Sequence, residues 1–334
     1  MLRSAALLTS LALIGLLSLV FALSSGSAAV GAMDAWLALT GEAAPAVRSL
    51  VLDLRLPRAL TAFAVGGLLS LSGIFMQVLL RNPLAEPYIL GTSGGAAVAA
   101  LGAMLVGAGA ATIDAAAFAG ALGSALLVFA VARGTGGWTP TRLLLTGVVL
   151  SAGFAAAIAL LLALSPDQAL RGMLFWLMGD LSFSYAPGKL LWLLAILCIA
   201  GLAGAGHLDV LSRGDIEAAI LGLSVTGVRL TLFAATALAV ALCVTSVGVI
   251  GFVGLVVPHL MRLIAGSRHR LLVPAAVLAG GSLLVIADTL ARSLIAPRQL
   301  PVGALTATLG VPLFLVLMHR AARAPEAGSR RTFS

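Results

Sequence analysis

Asp215 and Glu217 open a stretch of helix-like composition, residues 215–221, set between Gly214 and Gly222 in the largest polar connector of the chain, residues 207–229. Acidic side chains at a helix start are favoured by the helix dipole. A short surface helix that docks a partner fits this composition, and so does an ordinary amphipathic connector. A second polar group is cationic: Arg55 and Arg58 flank Leu56-Pro57, and Arg292 and Arg298 lie beyond the end of a distant apolar run. Asp288 precedes Arg292 by four residues, a spacing that brings the two together on one helix face. It reads as a local ion pair rather than as a mid-membrane proton carrier. Covalent chemistry lacks its parts. The four histidines, His207, His259, His269 and His319, are scattered, and there is no H-E-x-x-H or C-x-x-C. The single lysine, Lys189, follows Gly188, but Phe183 and Leu190 stand where a nucleotide-binding loop needs Gly and Ser/Thr. No catalytic or metal-ligating residue is expected, and energy for any work must come from another subunit.

The elements that hold these residues are built for lipid. Of 334 residues, 61% are hydrophobic and 10% charged, where a soluble domain carries roughly a quarter charged. Apolar runs of about 17 to 25 residues, long enough to cross a bilayer as helices, recur along the whole chain. Membrane strands would alternate apolar and polar residues. These runs do not, and their 38 glycines suit close helix contacts. The expected fold is all-α and polytopic, with about ten spans. They are residues 5–23, 59–80, two within 88–132 broken near 107–114, 143–164, 190–205, two within 230–265, 271–290 and 302–318. The 36 residues from 230 to 265 would reach about 54 Å as one helix against a core of about 30 Å, so a turn is placed near 248–254. Asp114 falls in a loop. The first run, followed by Ser27-Ala28-Ala29, is read as a span rather than a cleaved signal peptide. Residues 1–320 form one transmembrane domain, and the basic tail 321–334 reads as disordered. Cys198 and Cys243 both lie inside apolar runs, as packing residues.

The net charge of +8 is spread over loops, which argues against nucleic acid and for topology. With the N-terminus in the cytoplasm, 13 of the 20 Lys and Arg fall inside and 7 outside, as the positive-inside rule asks. The outside cations gather at Arg55/Arg58 and Arg292/Arg298, which suggests a task there. A weak duplication is also visible: Arg58 leads through a long apolar run to Asn82-Pro83, and Arg229 through another to Pro258.

Five stretches together carry a family resemblance: RLPR (55–58), RNPLAEPYILGTSGGAA (81–97), GDIEAAILG (214–222), GFVGLVVPHLMR (251–262) with ADTLAR (287–292), and QLPVGALTATLGVPLF (299–314). In this order the chain resembles the FecCD-type permeases, membrane subunits of binding-protein-dependent ABC importers for ferric siderophores, haem and cobalamin. The resemblance implies a ten-helix, cobalamin-importer-permease-like bundle in a bacterial inner membrane, with both termini cytoplasmic. It implies a homodimer with the path between the copies, two cytoplasmic ATP-binding cassette subunits that hold ATP and Mg, and a periplasmic binding protein. The permease itself would bind no cofactor. Carried over by motif, Gly214, Asp215, Glu217, Ala218, Leu221 and Gly222 form the ATPase-coupling loop. Arg55, Arg58 and Arg292 pair with binding-protein carboxylates, and Asn82, Leu84, Pro140 and Thr141 form a cytoplasmic gate. Pro140 departs from the small polar residue expected there. Cobalamin or a ferric siderophore is ranked above haem, because no His or Tyr constellation would hold haem iron. The other class is a stand-alone secondary transporter or channel, against which the docking loop and the lack of mid-membrane acids both speak.

Overall fold

The computed structural model describes residues 2–26, 30–133, 139–182 and 186–323. Residues 27–29, the alternative cleavage site, and most of the expected disordered tail lie outside the described residues. Among the described residues the structure is helical without strands. In chain order it contains α1 (Leu2–Ser24), α2 (Ala32–Thr40), α3 (Pro45–Ser49), a π-helical turn (Leu50–Arg55), α4 (Leu56–Leu80) and a 3-10 turn (Pro87–Leu90). Next come α5 (Thr92–Leu105), α6 (Ala110–Arg133), α7 (Pro140–Leu164), α8 (Asp167–Met178), α9 (Gly188–Ala203) and α10 (Ala205–Leu211). The last are α11 (Asp215–Ile220), α12 (Val225–Val247), α13 (Val253–Ala265), α14 (His269–Ser293) and α15 (Val302–Arg323).

All ten apolar runs become helices, but of unequal reach. Among the described residues six helical stretches are long and apolar enough to cross a membrane: α1, the continuous Pro45–Leu80 segment, α6, α7, α12 and α14. A seventh is formed if α9 and α10, bent by 64°, count as one. The apolar helices α5 and α13 have 14 and 13 residues, about 20 Å each at 1.5 Å per residue, which falls short of the hydrocarbon core. The sequence had not marked α2, α3 or α8, which are short helices in connectors. Asp114, expected in a loop, sits in the second turn of α6.

Helix α4 occupies the centre. In its span window 94% of residues are buried, and it packs on α14, α12, α13 and α9. Glycine makes this possible where backbones nearly touch. A Cβ at Gly66 would collide with the Gly280 carbonyl of α14, and one at Gly73 with the Gly254 carbonyl of α13. Small residues at such crossings are the usual means of helix association in lipid. Helix α7 is the opposite case, with only Leu143 and Gly147 buried. Gly147 rests against the Ile89 carbonyl.

The suggested duplication has a structural counterpart. Helix α4 is followed by an irregular segment and the short α5, and α12 by an irregular segment and the short α13. The side-chain contacts described below place the starts of α4 and α12 at opposite ends of the bundle, so the two units run in opposite senses, as inverted repeats do.

Gly73→Val should cost about 1–3 kcal/mol through overpacking, read as a lower Tm in detergent. Gly102→Ala, whose new Cβ meets nothing within 4 Å, should be neutral or stabilising by up to about 1 kcal/mol.

Candidate functional site

The chemistry-bearing residues gather at three places: the two ends of the bundle and a break between them. At one end lies α11. Asp215 occupies its first position, next to Gly214, whose φ of 146° favours glycine. Both Asp215 oxygens accept from Arg229 Nη2 of α12, at 2.6 and 2.7 Å. Arg81 Nη2, at the C-cap of α4, lies 3.8 Å away. The helix closes on a Schellman pattern, in which Leu223 N–H donates to Ala218 O and Gly222 N–H to Ala219 O, with Gly222 left-handed at φ 79°. Ala218 is buried beneath the helix and Glu217 is exposed. Ile216 and Ile220, one turn apart, are 78% and 79% exposed, and Leu221 is 65% exposed. The result is an apolar knob on a helix anchored by a buried guanidinium. Close by, Asp209 of α10 accepts from the His269 backbone N–H at 3.0 Å and pairs with its ring Nδ1 at 2.6 Å. This fastens α10 to the start of α14.

At the other end the chain gathers Arg55, Arg58 and Arg292. Arg58 of α4 makes a two-pronged pair with Asp288 of α14, Nε to Oδ2 at 2.9 Å and Nη2 to Oδ1 at 2.8 Å. Its Nη1 donates to Gln299 Oε1 at 3.1 Å, and the Ser182 hydroxyl reaches the same oxygen at 2.9 Å. Arg55 Nη1 donates to the Leu23 carbonyl at 2.6 Å, and Arg292 Nη2 donates to the Ala22 carbonyl, so both cap the C-terminal turn of α1. Arg292 Nε lies 4.0 Å from Asp288 Oδ2. The local ion pair read from the sequence at Asp288 is present, with Arg58 as the nearer partner. The resemblance pairs these three arginines with carboxylates of a binding protein. In the chain alone Arg55 is 5% exposed, and the Arg58 and Arg292 side chains are 15% and 10% exposed. An arginine entering a low-dielectric rim must satisfy its donors there, and the α1 carbonyls and Asp288 are the acceptors at hand. Arg298 is exposed.

Between the ends, the two irregular segments meet. The Tyr88 hydroxyl lies 3.2 Å from both the carbonyl and the N–H of Ile250. Glu86 Oε1 accepts from the Phe252 N–H at 3.0 Å. Phe252 itself is left-handed at φ 69°, a position that bulky residues hold only when their surroundings enforce it. Upstream, Asn82 Oδ1 accepts from the Leu84 N–H at 2.9 Å in an Asx turn, and Leu84 is 38% exposed. Pro140 and the exposed Thr141 open α7, capped by Thr139. The two parts of the expected gate are linked through the Ile89–Gly147 contact, several residues beyond each.

Sequence reasoning had named Asp215 and the flanking glycines but not Ile216 and Ile220, nor the braces Arg229 and Arg81. It had quoted Glu86 and Tyr88 within a motif without giving them a task. Two isoleucines exposed on a polar connector were the available signal for the knob.

Set against known proteins, residues 13–320 match the model of the FecCD transport family. The chain is 41% identical over 327 residues to the hemin transport system permease protein HmuU of Yersinia pestis, covering 91% of this chain and 94% of that one. It is 37% identical over 322 residues to the vitamin B12 import system permease protein BtuC of Escherichia coli, covering 95% of each. A solved metal-chelate-type ABC transporter in an inward-facing conformation superposes with a TM-score of 0.80 at 30% identity, over 95% of this chain and 99% of that one.

Asp215→Ala should free α11 from its anchor, at a cost of about 1.5–3 kcal/mol for the lost charge-assisted bonds. Hydrogen exchange should show this as faster exchange confined to α11 and the first turns of α12.

Proposed function

The chain belongs to the FecCD transport family and is a permease subunit of an ABC importer, and we propose that its cargo is a large metal chelate. Haem, a corrinoid and a ferric siderophore are the candidates. The earlier ranking placed haem last for want of iron ligands. A permease passes its cargo on rather than ligating it, and a relative at 41% identity is a hemin permease, so haem stands level with the others.

The observation that carries the ATPase partnership of such an importer is the α11 knob. Ile216, Ile220 and Leu221 present exposed apolar surface on a helix whose Asp215 is held by a buried arginine. A chain without a nucleotide-binding loop needs an engine, and this knob is the surface for one. Two ATP-binding cassette subunits would take Gly214, Asp215, Glu217, Ala218, Leu221 and Gly222 into their grooves. They would hold ATP and Mg and do the hydrolysis, so that the permease breaks no bond and binds no cofactor. The α11 end faces the cytoplasm together with both termini, supported by Arg81, Arg213, Arg229, Arg268 and Arg270 at or near that end. Residues 1–320 act as one domain with a basic cytoplasmic tail, 321–334. The opposite end faces the periplasm of an inner-membrane system. There Arg55, Arg58 and Arg292 cluster around Asp288, and these arginines suit an acidic patch on a binding protein. A second copy of the chain completes the path. The nearly bare α7 supports this, since a face so little covered by its own chain is free for a partner. The turn at Asn82 and Leu84 and the start of α7 at Pro140 and Thr141 form the cytoplasmic gate.

Uptake into proteoliposomes tests the reading. The vesicles would hold this chain with its neighbouring ATPase and enclosed ATP, and haem, cobalamin and ferric siderophores would be offered in parallel on the cognate binding protein. ATP-dependent accumulation of one of them is expected. Uptake driven by an ion gradient without any ATPase would overturn it in favour of a secondary transporter. Ile216→Asp with Ile220→Asp should cut ATPase co-purification by about tenfold or more, since charges would be buried at the contact. Undiminished co-purification would show that α11 is only a connector.

A further inference from the structure

We propose that Asp288 is an internal stand-in for a carboxylate of the binding protein: it holds Arg58 in the undocked permease and passes to Arg292 when an acidic group of the partner takes Arg58. This exchange rests on the docking reading given above.

The geometry separates the roles of the three arginines. Arg55 and Arg292 spend donors on the carbonyls of Leu23 and Ala22, so both are tied to α1. Among the described residues Arg58 is tied to no carbonyl. Its partners are Asp288 and Gln299, side chains that a competing carboxylate can replace in kind. It is also the most exposed of the three, at 15% for its side chain, against 4% for that of Asp288. A partner's carboxylate can therefore meet Arg58 but not Asp288. The two-pronged grip is the one an external carboxylate would use, so Arg58 is held in the hydrogen-bonding geometry that docking needs.

The exchange must not strand Asp288. Breaking a buried pair by removing one member is strongly destabilising, because the other charge is left uncompensated. Arg292 lies one helical turn along α14 with its Nε 4.0 Å from Asp288 Oδ2, and that Nε has no hydrogen-bond partner among the described residues. A small shift brings it into contact, and the carboxylate remains paired throughout. Asp180, the other acid nearby, joins this group only through Ser182 and does not compete for Arg58.

The mechanical consequence follows from which elements are joined. The Arg58 pair ties the start of α4 to the end of α14 and, through Gln299, to the segment before α15. Release of Arg58 undoes both ties at that end, while the Gly66–Gly280 contact still holds α4 to α14. Docking then reaches the membrane core as a loosening of α4 against α14.

The test is binding of the cognate binding protein to the assembled permease–ATPase complex in nanodiscs, at low and high salt. Asp288→Asn, which keeps the shape and removes the charge, should tighten docking about tenfold at low ionic strength, and the gain should shrink in high salt. Docking that is unchanged or weaker in an Asp288→Asn complex that still assembles with its ATPase would overturn the exchange. Should that variant fail to assemble, Gln299→Ala removes the neutral holder of Arg58 and leaves every charge in place. It should tighten docking about twofold, and an unchanged or weaker value there overturns the exchange equally. Arg58→Gln separates the premise from the inference. If it leaves docking intact, the docking reading itself fails. If it weakens docking while Asp288→Asn does not tighten it, only the exchange fails.

Discussion

The burial of α4 on all sides is the constraint around which the rest of the chain is arranged. A helix in lipid satisfies its own backbone and gains little from the hydrophobic effect by leaving one apolar medium for another, so it is held centrally by close packing. Gly66 and Gly73 let α14 and α13 approach to backbone contact. Because α4 runs the length of the bundle, its two ends become the two polar sites. Arg58 in its first turn is paired with Asp288, and Arg81 at its C-cap faces Asp215. One packed rod therefore joins the arginine end to the α11 end.

The irregular segments explain why this rod has something to move. Residues 82–91 and 248–252 are the places where the backbone leaves the α-helix and is held in part by side-chain hydrogen bonds. Glu86 and Tyr88 meet that need at Phe252 and Ile250. Non-helical backbone at membrane depth is tolerated where protein or a cavity surrounds it, and a break of this kind is easier to rearrange than a continuous helix. The Asn82 Asx turn sits between this break and Arg81. Any displacement of the α4 end by the α11 knob therefore reaches the irregular segment within a few residues.

Much of this was legible in the sequence, for physical reasons that can be named. Lipid demands long apolar runs, so all ten helices could be located. Length alone required the break in residues 230–265, which is found between Val247 and Val253. The lengths of α5 and α13 were not legible, because where a helix begins within an apolar run depends on contacts from elsewhere in the chain. Helices α2 and α3, of 9 and 5 residues, were missed because they are too short to show a periodic pattern of their own, and α8, of 12 residues, because its polar residues interrupt any long apolar run. At the α11 end, Gly214, Asp215 and Gly222 announced a helix with a charged start and a glycine stop, and the Schellman closure gives Gly222 its reason. That Asp215 finds Arg229 could not be read, since the two are brought together only by the turn at 221–224. The outer arginines were legible as a group, and their acceptors within the chain, Asp288 and the α1 carbonyls, were legible only for the Asp288–Arg292 spacing. Charge shows that a residue must find acceptors, and it does not show whether those acceptors belong to the same chain.

That last ambiguity is informative about how such a chain is stabilised. A buried ion pair is weak evidence for stability, because desolvation of both members offsets most of their attraction, and the Arg58–Asp288 pair is no exception. What the pair supplies is register. Two prongs fix the rotation of α4 about its axis relative to α14, and Gln299 fixes the entry to α15. At the other end the Asp215–Arg229 pair does the same for α11 on α12. Between these ends glycine contacts, Gly66 on Gly280 and Gly73 on Gly254, already hold the helices together. The charged pairs at the rims fix the two ends of that packing. Because each pair is nearly balanced against its own desolvation, it is also the contact most easily exchanged for another of the same kind. A transport subunit that must hold one arrangement, and then give it up to a partner, is served by fastenings of this kind at both ends of a close-packed helix.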